Sequence, residues 1–83
     1  MPSLSELPGD LSRTKFIKAL TRLGFIIDQK GGKGDHLKAT WPKTQKSTTV
    51  QGDLRKDVLQ YVLRQIEINT SGAVTWQDIK KEL

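Results

Sequence analysis

The sequence contains no cysteine and only one histidine among its 83 residues. Without cysteine, the chain forms no disulfide and no thiolate metal site, and a lone histidine has no second imidazole for a zinc site or a histidine pair in acid–base catalysis. No apolar run approaches the roughly 20 residues of a membrane-spanning helix, and the N-terminus lacks a secretory signal pattern. We therefore expect a cytoplasmic protein that uses no metal or cofactor and does not enter the membrane.

Acidic residues are scarce in the first half of the chain. Between residues 13 and 46 there are nine lysines and arginines, but only Asp28 and Asp35 are acidic. The formal net charge of the whole chain is +5. Such a basic region favours a polyanionic partner, although charge by itself indicates association rather than a particular activity.

The apolar pattern predicts one small α+β domain. Phe16, Ile17, Leu20 and Leu23 have helical spacing after a possible N-cap at Ser12, and Gly24 is placed to end that helix. Short strands are predicted at residues 25–29, 36–41 and 47–50, followed by a second helix from about Leu54 to Glu67 and a short closing helix. We expect the order α-β-β-β-α plus this closing helix in residues 11–83, and a poorly ordered lead-in at residues 1–10 from which Leu4 and Leu7 could dock.

The single histidine, His36, follows a glycine-rich basic turn and opens the second predicted strand. Leu37, Ala39 and Trp41 alternate with it, so the histidine is expected on the solvated face if those three residues enter the core. Nearby lysines disfavour the imidazolium charge, and we expect a largely neutral ring that can accept a proton. A solvated basic hairpin without a specific role remains the alternative.

If this region is catalytic, the residue types favour RNA cleavage. Asp28 and Asp35 are too few for a two-metal nuclease. RNA carries its own nucleophile, the 2′-hydroxyl, so a protein needs only to position the strand, move a proton and stabilise charge on the phosphate. The predicted catalytic residue is His36. The predicted RNA-binding residues are Lys15, Lys18, Lys30, Lys33, Gly34 and Lys38, and no metal ligand is predicted. Trp41 and Trp76 are expected in the core rather than at a base-stacking site.

Several segments together resemble the HicA-like toxins, the mRNA interferases of bacterial toxin–antitoxin pairs. They are Leu7-Pro8, Leu20-Thr21-Arg22-Leu23-Gly24-Phe25, Gly34-Asp35-His36-Leu37-Lys38, Thr48-Thr49-Val50 and the helix from Leu54. The resemblance implies a double-stranded-RNA-binding-like fold with a three-stranded antiparallel sheet. It also implies metal-independent RNA cleavage by His36 and neutralisation by a HicB-like antitoxin. This sequence has Asp35 where the family usually has serine.

Two other functions are compatible with the sequence. A non-catalytic RNA-binding module would use the same sheet and basic face to bind duplex RNA by its shape. A protein that contacts DNA, or that only docks on an antitoxin, would also carry a basic surface. Loss of RNA cleavage with retained RNA affinity on substitution of His36 distinguishes the nuclease from both.

Overall fold

A computed structural model of the chain describes residues 3–30 and 36–83, with residues 29, 30 and 36 described by their backbone and strand pairing only. After a short 3₁₀ helix at Leu4–Glu6, the elements follow the predicted order. They are α1 (Arg13–Arg22), β1 (Ile26–Lys30), β2 (His36–Trp41), β3 (Lys46–Gln51), α2 (Lys56–Asn69) and α3 (Trp76–Glu82). The α+β class, the order α-β-β-β-α and the additional C-terminal helix are therefore confirmed.

The first helix begins and ends where its local sequence predicts. The Ser12 hydroxyl accepts a hydrogen bond from the Lys15 backbone N–H at 3.5 Å, as an N-cap residue does. The chain leaves the helix through Gly24, whose φ of 109° lies in a region that side-chain-bearing residues rarely adopt. This glycine directs the chain into β1.

The three strands form one antiparallel sheet in the order β1-β2-β3. The turn between β2 and β3 is closed by hydrogen bonds from the Thr44 and Gln45 N–H groups to the Trp41 carbonyl oxygen. Gln45 adopts a φ of 59° there, a left-handed conformation uncommon for a residue other than glycine. Pro42 lies in this turn, immediately after β2, where its ring removes a backbone donor and prevents the strand from continuing.

The helices cover one face of the sheet and enclose the core between the two layers. Ala39 and Val50 are fully buried on the inner face of the sheet, where the alternation of β2 predicts the inward residues. The helices contribute most of the remaining core: Phe16, Ala19, Leu20, Leu59, Val62, Leu63, Ile66, Trp76 and Ile79. The helical layer leaves the opposite face of the sheet open, and this open face carries the predicted catalytic position.

Trp76 is a core residue, as expected, whereas Trp41 is only partly buried against the core. Trp41 packs against the core with its ring centroid 4.9 Å from that of Phe25. Trp76 is buried at the start of α3. The indole of Trp76 is therefore not free to serve as a platform for a nucleic-acid base, and that of Trp41 contacts the core and Phe25.

The predicted start of the second helix is two residues too early. Leu54 is buried in the core, but it lies in the segment before α2, and Arg55 is the extended N-cap of a helix that begins at Lys56. The spacing of Leu54 matches the helical repeat of α2, although the residue lies outside the helix. A connecting segment can also bury a leucine, so apolar spacing alone did not locate the start of the helix. The helix continues two residues beyond the predicted end, to Asn69.

The chain before residue 11 also contributes to the core. Leu7 is buried, whereas Leu4 remains exposed in the 3₁₀ helix. The segment before residue 11 therefore packs against the core through Leu7. The division of the chain at residue 10 stays a prediction.

Candidate nucleic-acid interface on the open sheet face

Strand pairing defines which residues share the open face of the sheet. The register pairs Ile26 with Thr40, Asp28 with Lys38 and Lys30 with His36 across β1 and β2. Across β2 and β3, it pairs His36 with Gln51, Lys38 with Thr49 and Thr40 with Ser47. Directly paired residues lie on the same side of a pleated sheet. Three rows of residues therefore cross the open face.

His36 occupies the first position of β2, at one end of these rows. Its backbone is flanked by Lys30 on β1 and Gln51 on β3. The alternation that buries Ala39 assigns position 36 to the same face as positions 38 and 40. The exposure and the chemical role of the imidazole stay predictions.

Lys38 lies in the middle row, half-buried between two exposed neighbours. The carboxylate residue Asp28 is its partner on β1, and the hydroxyl residue Thr49 is its partner on β3. The middle row of the open face therefore has opposite charges on β1 and β2, and an uncharged polar side chain on β3. Of the predicted RNA-binding lysines, Lys38 is the one whose described side chain lies on this face.

Lys15 and Lys18 lie on a different surface. Together with Arg22, Glu82 and Leu83 they line a depression of about 150 Å³ between α1 and the end of α3. The Arg22 guanidinium donates a hydrogen bond from Nη1 to the Glu82 carbonyl oxygen at 2.9 Å, which ties α1 to α3. Because α1 belongs to the helical layer, the structure does not bring these two lysines to the open sheet face.

The remaining predicted residues belong to the turn before β2. Lys30 is the last residue of β1 and is paired with His36. Lys33, Gly34 and Asp35 lie outside the described residues. Their proposed roles stay predictions.

Sequence reasoning did not identify Thr49 and Gln51 as neighbours of the predicted site. They are separated from Lys38 and His36 by 11 and 15 positions in the chain, and only the β2–β3 register brings them together. A usable signal was present in the sequence, because the two residues alternate with Thr48 and Val50. That alternation predicts a shared face, but it does not give the register.

Two other surface features involve none of the predicted site residues. A hollow of about 410 Å³ lies at the end of α2, lined by Arg64, Glu67, Ile68, Ser71 and Gly72. Tyr61, also on α2, is largely exposed. Within residues 3–30 and 36–83, no group of three or more histidine or acidic side chains is arranged to hold a metal ion.

No helix in the described part of the chain combines the length and the apolar character needed to cross a membrane. The longest helix, α2, has 14 residues and carries charged side chains along its exposed side. Its apolar side instead faces the core, through Leu59, Val62, Leu63 and Ile66.

Comparison with known proteins identifies the family. The family model described as the HicA toxin of bacterial toxin–antitoxin matches residues 13–73, which extend from the start of α1 to the turn after α2. Searches of curated proteins and of solved structures match nothing. The matched region contains the whole open sheet face, with His36, Lys38, Thr49 and Gln51, whereas α3 lies beyond it. The chain therefore belongs to the HicA family of toxins from bacterial toxin–antitoxin systems.

Proposed function

We propose that the protein is a metal-independent endoribonuclease that cleaves messenger RNA with His36 as its general acid and base, and that a HicB-like antitoxin neutralises it. The observation that carries the proposal is the position of the single histidine of a HicA-family chain. It is the first residue of β2, and the strand register pairs it with Lys30 of β1. Because the proposed substrate is messenger RNA, we propose that the protein acts in the cytoplasm.

The proposed reaction draws its nucleophile from the RNA itself. His36 accepts the proton of a ribose 2′-hydroxyl while the 2′-oxygen forms a bond to the adjacent phosphorus. The bond from phosphorus to the 5′-oxygen breaks, and the leaving oxygen receives a proton from the imidazolium. The products are a 2′,3′-cyclic phosphate, which water opens to a 3′-phosphate, and a strand with a 5′-hydroxyl. Lysines around the site balance the negative charge that develops on the phosphate.

The two groups of lysines suit different parts of the RNA. Lys38 lies on the same sheet face as position 36, and Lys30 is the strand partner of His36. Both lysines are therefore suited to phosphates near the cleaved bond. Lys15 and Lys18 lie in the helical layer with Arg22. We assign them to a more distant part of the strand, where a point charge strengthens binding without acting on the reacting atoms.

The decisive experiment compares the wild type with His36→Ala on a synthetic RNA, in the presence of EDTA. General acid–base catalysis contributes about 10²- to 10⁴-fold to a rate, so the variant should lose at least about 100-fold in cleavage. Its affinity for RNA should stay within about threefold of the wild type. Circular dichroism checks that the variant is folded.

The reaction products and the substrate provide independent checks. Wild-type products should carry a 2′,3′-cyclic phosphate or 3′-phosphate and a 5′-hydroxyl, and RNA with a 2′-deoxy residue at the cleaved position should resist cleavage. Cleavage by His36→Ala at the wild-type rate, or loss of wild-type activity in EDTA, contradicts the proposed mechanism. Equal RNA binding by both proteins with cleavage by neither indicates the non-catalytic RNA-binding module instead.

The antitoxin requires a separate test. The net charge of +5 favours an acidic partner. Co-expression with the product of a neighbouring small reading frame should yield a complex in which RNA cleavage is suppressed. A complex that cleaves RNA as fast as the free protein contradicts neutralisation by that partner.

A further inference from the structure

The third strand contributes uncharged polar side chains to the open face. In β3, Thr48 and Val50 are buried in the core, whereas Thr49 and Gln51 are exposed on the other side. Within the described part of the chain, neither of these exposed side chains has a hydrogen-bonding partner. Their hydrogen-bonding groups are therefore available to a molecule that lies on the face.

Gln51 is the β3 residue directly opposite the proposed catalytic position. The register pairs it with His36, and it pairs Thr49 with Lys38 in the next row on this face. Opposed residues in an antiparallel sheet have Cα atoms about 4.5–5.5 Å apart. An RNA backbone that passes position 36 therefore comes within reach of the flexible glutamine side chain.

The two sides of the open face differ in what they offer to RNA. On β1, the described side chains are the apolar Ile26, which is 53% exposed, and the acidic Asp28. A carboxylate repels phosphate, and an isoleucine forms no hydrogen bond. On the other side, β2 and β3 combine the cation of Lys38 with the hydroxyl of Thr49 and the amide of Gln51. Apart from Lys30, which pairs with His36 at the end of β1, this composition favours a strand of RNA lying across β2 and β3.

The chemistry of Gln51 suits positioning rather than proton transfer. Its side-chain amide donates through NH₂ and accepts through its carbonyl oxygen, so it can bond a phosphate oxygen and a ribose hydroxyl. The amide does not titrate near neutral pH and therefore does not replace the histidine as acid or base. The described side chains of the open face include no aromatic group, so hydrogen bonds rather than base stacking dominate on β3.

We propose that Gln51 is a substrate-binding residue of the nuclease site. It holds the ribose–phosphate backbone of RNA across β2 and β3, next to His36, with Thr49 as a second hydrogen-bonding group in the adjacent row. This inference rests on the proposed nuclease function. It assigns substrate contacts to β3 and gives the direction in which the RNA crosses the sheet.

The test uses two substitutions of Gln51 and the same two substitutions of Gln77. Gln77 is an exposed glutamine on α3, in the helical layer, and serves as the matched control. Gln51→Ala removes the amide, and Gln51→Glu keeps the length of the side chain but introduces a carboxylate. RNA affinity is measured by fluorescence anisotropy in proteins that also carry His36→Ala, so that no RNA is cleaved. Steady-state cleavage is measured in proteins that retain His36.

Gln51→Ala should weaken RNA binding about tenfold, as expected for loss of a hydrogen bond to a charged group. The loss should appear mainly as a higher KM, with kcat within about threefold of the wild type. Gln51→Glu should weaken binding more than the alanine variant, with the difference decreasing as salt is raised. Both Gln77 variants should bind RNA within about twofold of the wild type.

The possible outcomes separate this inference from the proposed function. If His36→Ala abolishes cleavage but both Gln51 variants bind and cleave like the Gln77 controls, the nuclease assignment stands and the role of Gln51 is wrong. If Gln51→Glu weakens RNA binding but the wild type cleaves no RNA, β3 is part of an RNA-binding surface and the nuclease assignment fails. Equal losses in the Gln51 and Gln77 variants also overturn the inference, because they indicate an effect that is not specific to β3.

Discussion

Ile79 tests whether α3 is an integral part of the domain core. The residue is fully buried in α3, which lies beyond the segment matched by the family model. Substitution by alanine removes three carbon atoms, worth about 2.4 kcal/mol at about 0.8 kcal/mol each, and the cavity that remains adds to this cost. We expect Ile79→Ala to lower the free energy of unfolding by about 3 kcal/mol. A domain of this size has roughly 4–12 kcal/mol in total.

Ile68 provides a matched control within the same chain. It is also an isoleucine in a helix, but it is 55% exposed on α2. Ile68→Ala should therefore change the free energy of unfolding by no more than about 0.5 kcal/mol. Ile79→Val retains most of the buried side chain and should cost about 0.5–1.5 kcal/mol, which provides a measurable variant if Ile79→Ala does not fold.

Urea denaturation followed by circular dichroism measures these differences. With a urea m-value near about 1 kcal/mol/M, the midpoint of Ile79→Ala should fall by roughly 3 M, while the midpoint of Ile68→Ala stays close to that of the wild type. If the two alanine variants have equal midpoints, or if Ile79→Val unfolds at the wild-type midpoint, α3 is a dispensable appendage and the packing argument is wrong.

Two further predictions concern the backbone and pH. Gly24 has a φ of 109°, so Gly24→Ala should lower the free energy of unfolding by about 1–3 kcal/mol by urea denaturation; Gly9→Ala, without a positive φ, should change it little, and equal losses would contradict the argument. Hydrogen bonds from the Thr75 backbone N–H at 2.9 Å and its hydroxyl at 3.1 Å lower the pKa of Asp78. Because folding lowers this pKa, the ionised Asp78 carboxylate stabilises the folded protein at pH values above the ordinary carboxyl pKa. This stabilisation is lost as the pH falls through the lower pKa of the folded state. The stability difference between wild type and Asp78→Asn should therefore shrink between pH 7 and pH 3, and a constant difference in urea midpoint would show that the carboxylate contributes nothing.

Much of the fold follows from local sequence because the relevant interactions are local. Ser12 and Gly24 mark the ends of α1 through a cap and a left-handed backbone conformation, each involving only nearby residues. Thr75 and Asp78, three residues apart, form a capping box at the start of α3 in which the Asp78 carboxylate accepts a hydrogen bond from the Thr75 N–H. The alternation of β2 identifies Ala39 as an inward residue, and the structure buries it completely. Leu54 shows where such patterns fail, because its spacing matches a helical repeat although the residue is buried in the segment before α2.

The candidate site was only partly predictable, because its residues come from segments that are distant from one another in the sequence. The sequence by itself determines that His36 is the one imidazole, that it begins a strand and that the basic residues are concentrated in the first half of the chain. Tertiary structure decides which residues share a surface, because strand register depends on pairing between distant segments. It places Gln51 opposite His36 and Thr49 opposite Lys38, and it assigns Lys15 and Lys18 to the helical layer. Composition and spacing thus determine which chemical groups are available, and packing between strands and helices decides which of them can meet one RNA strand.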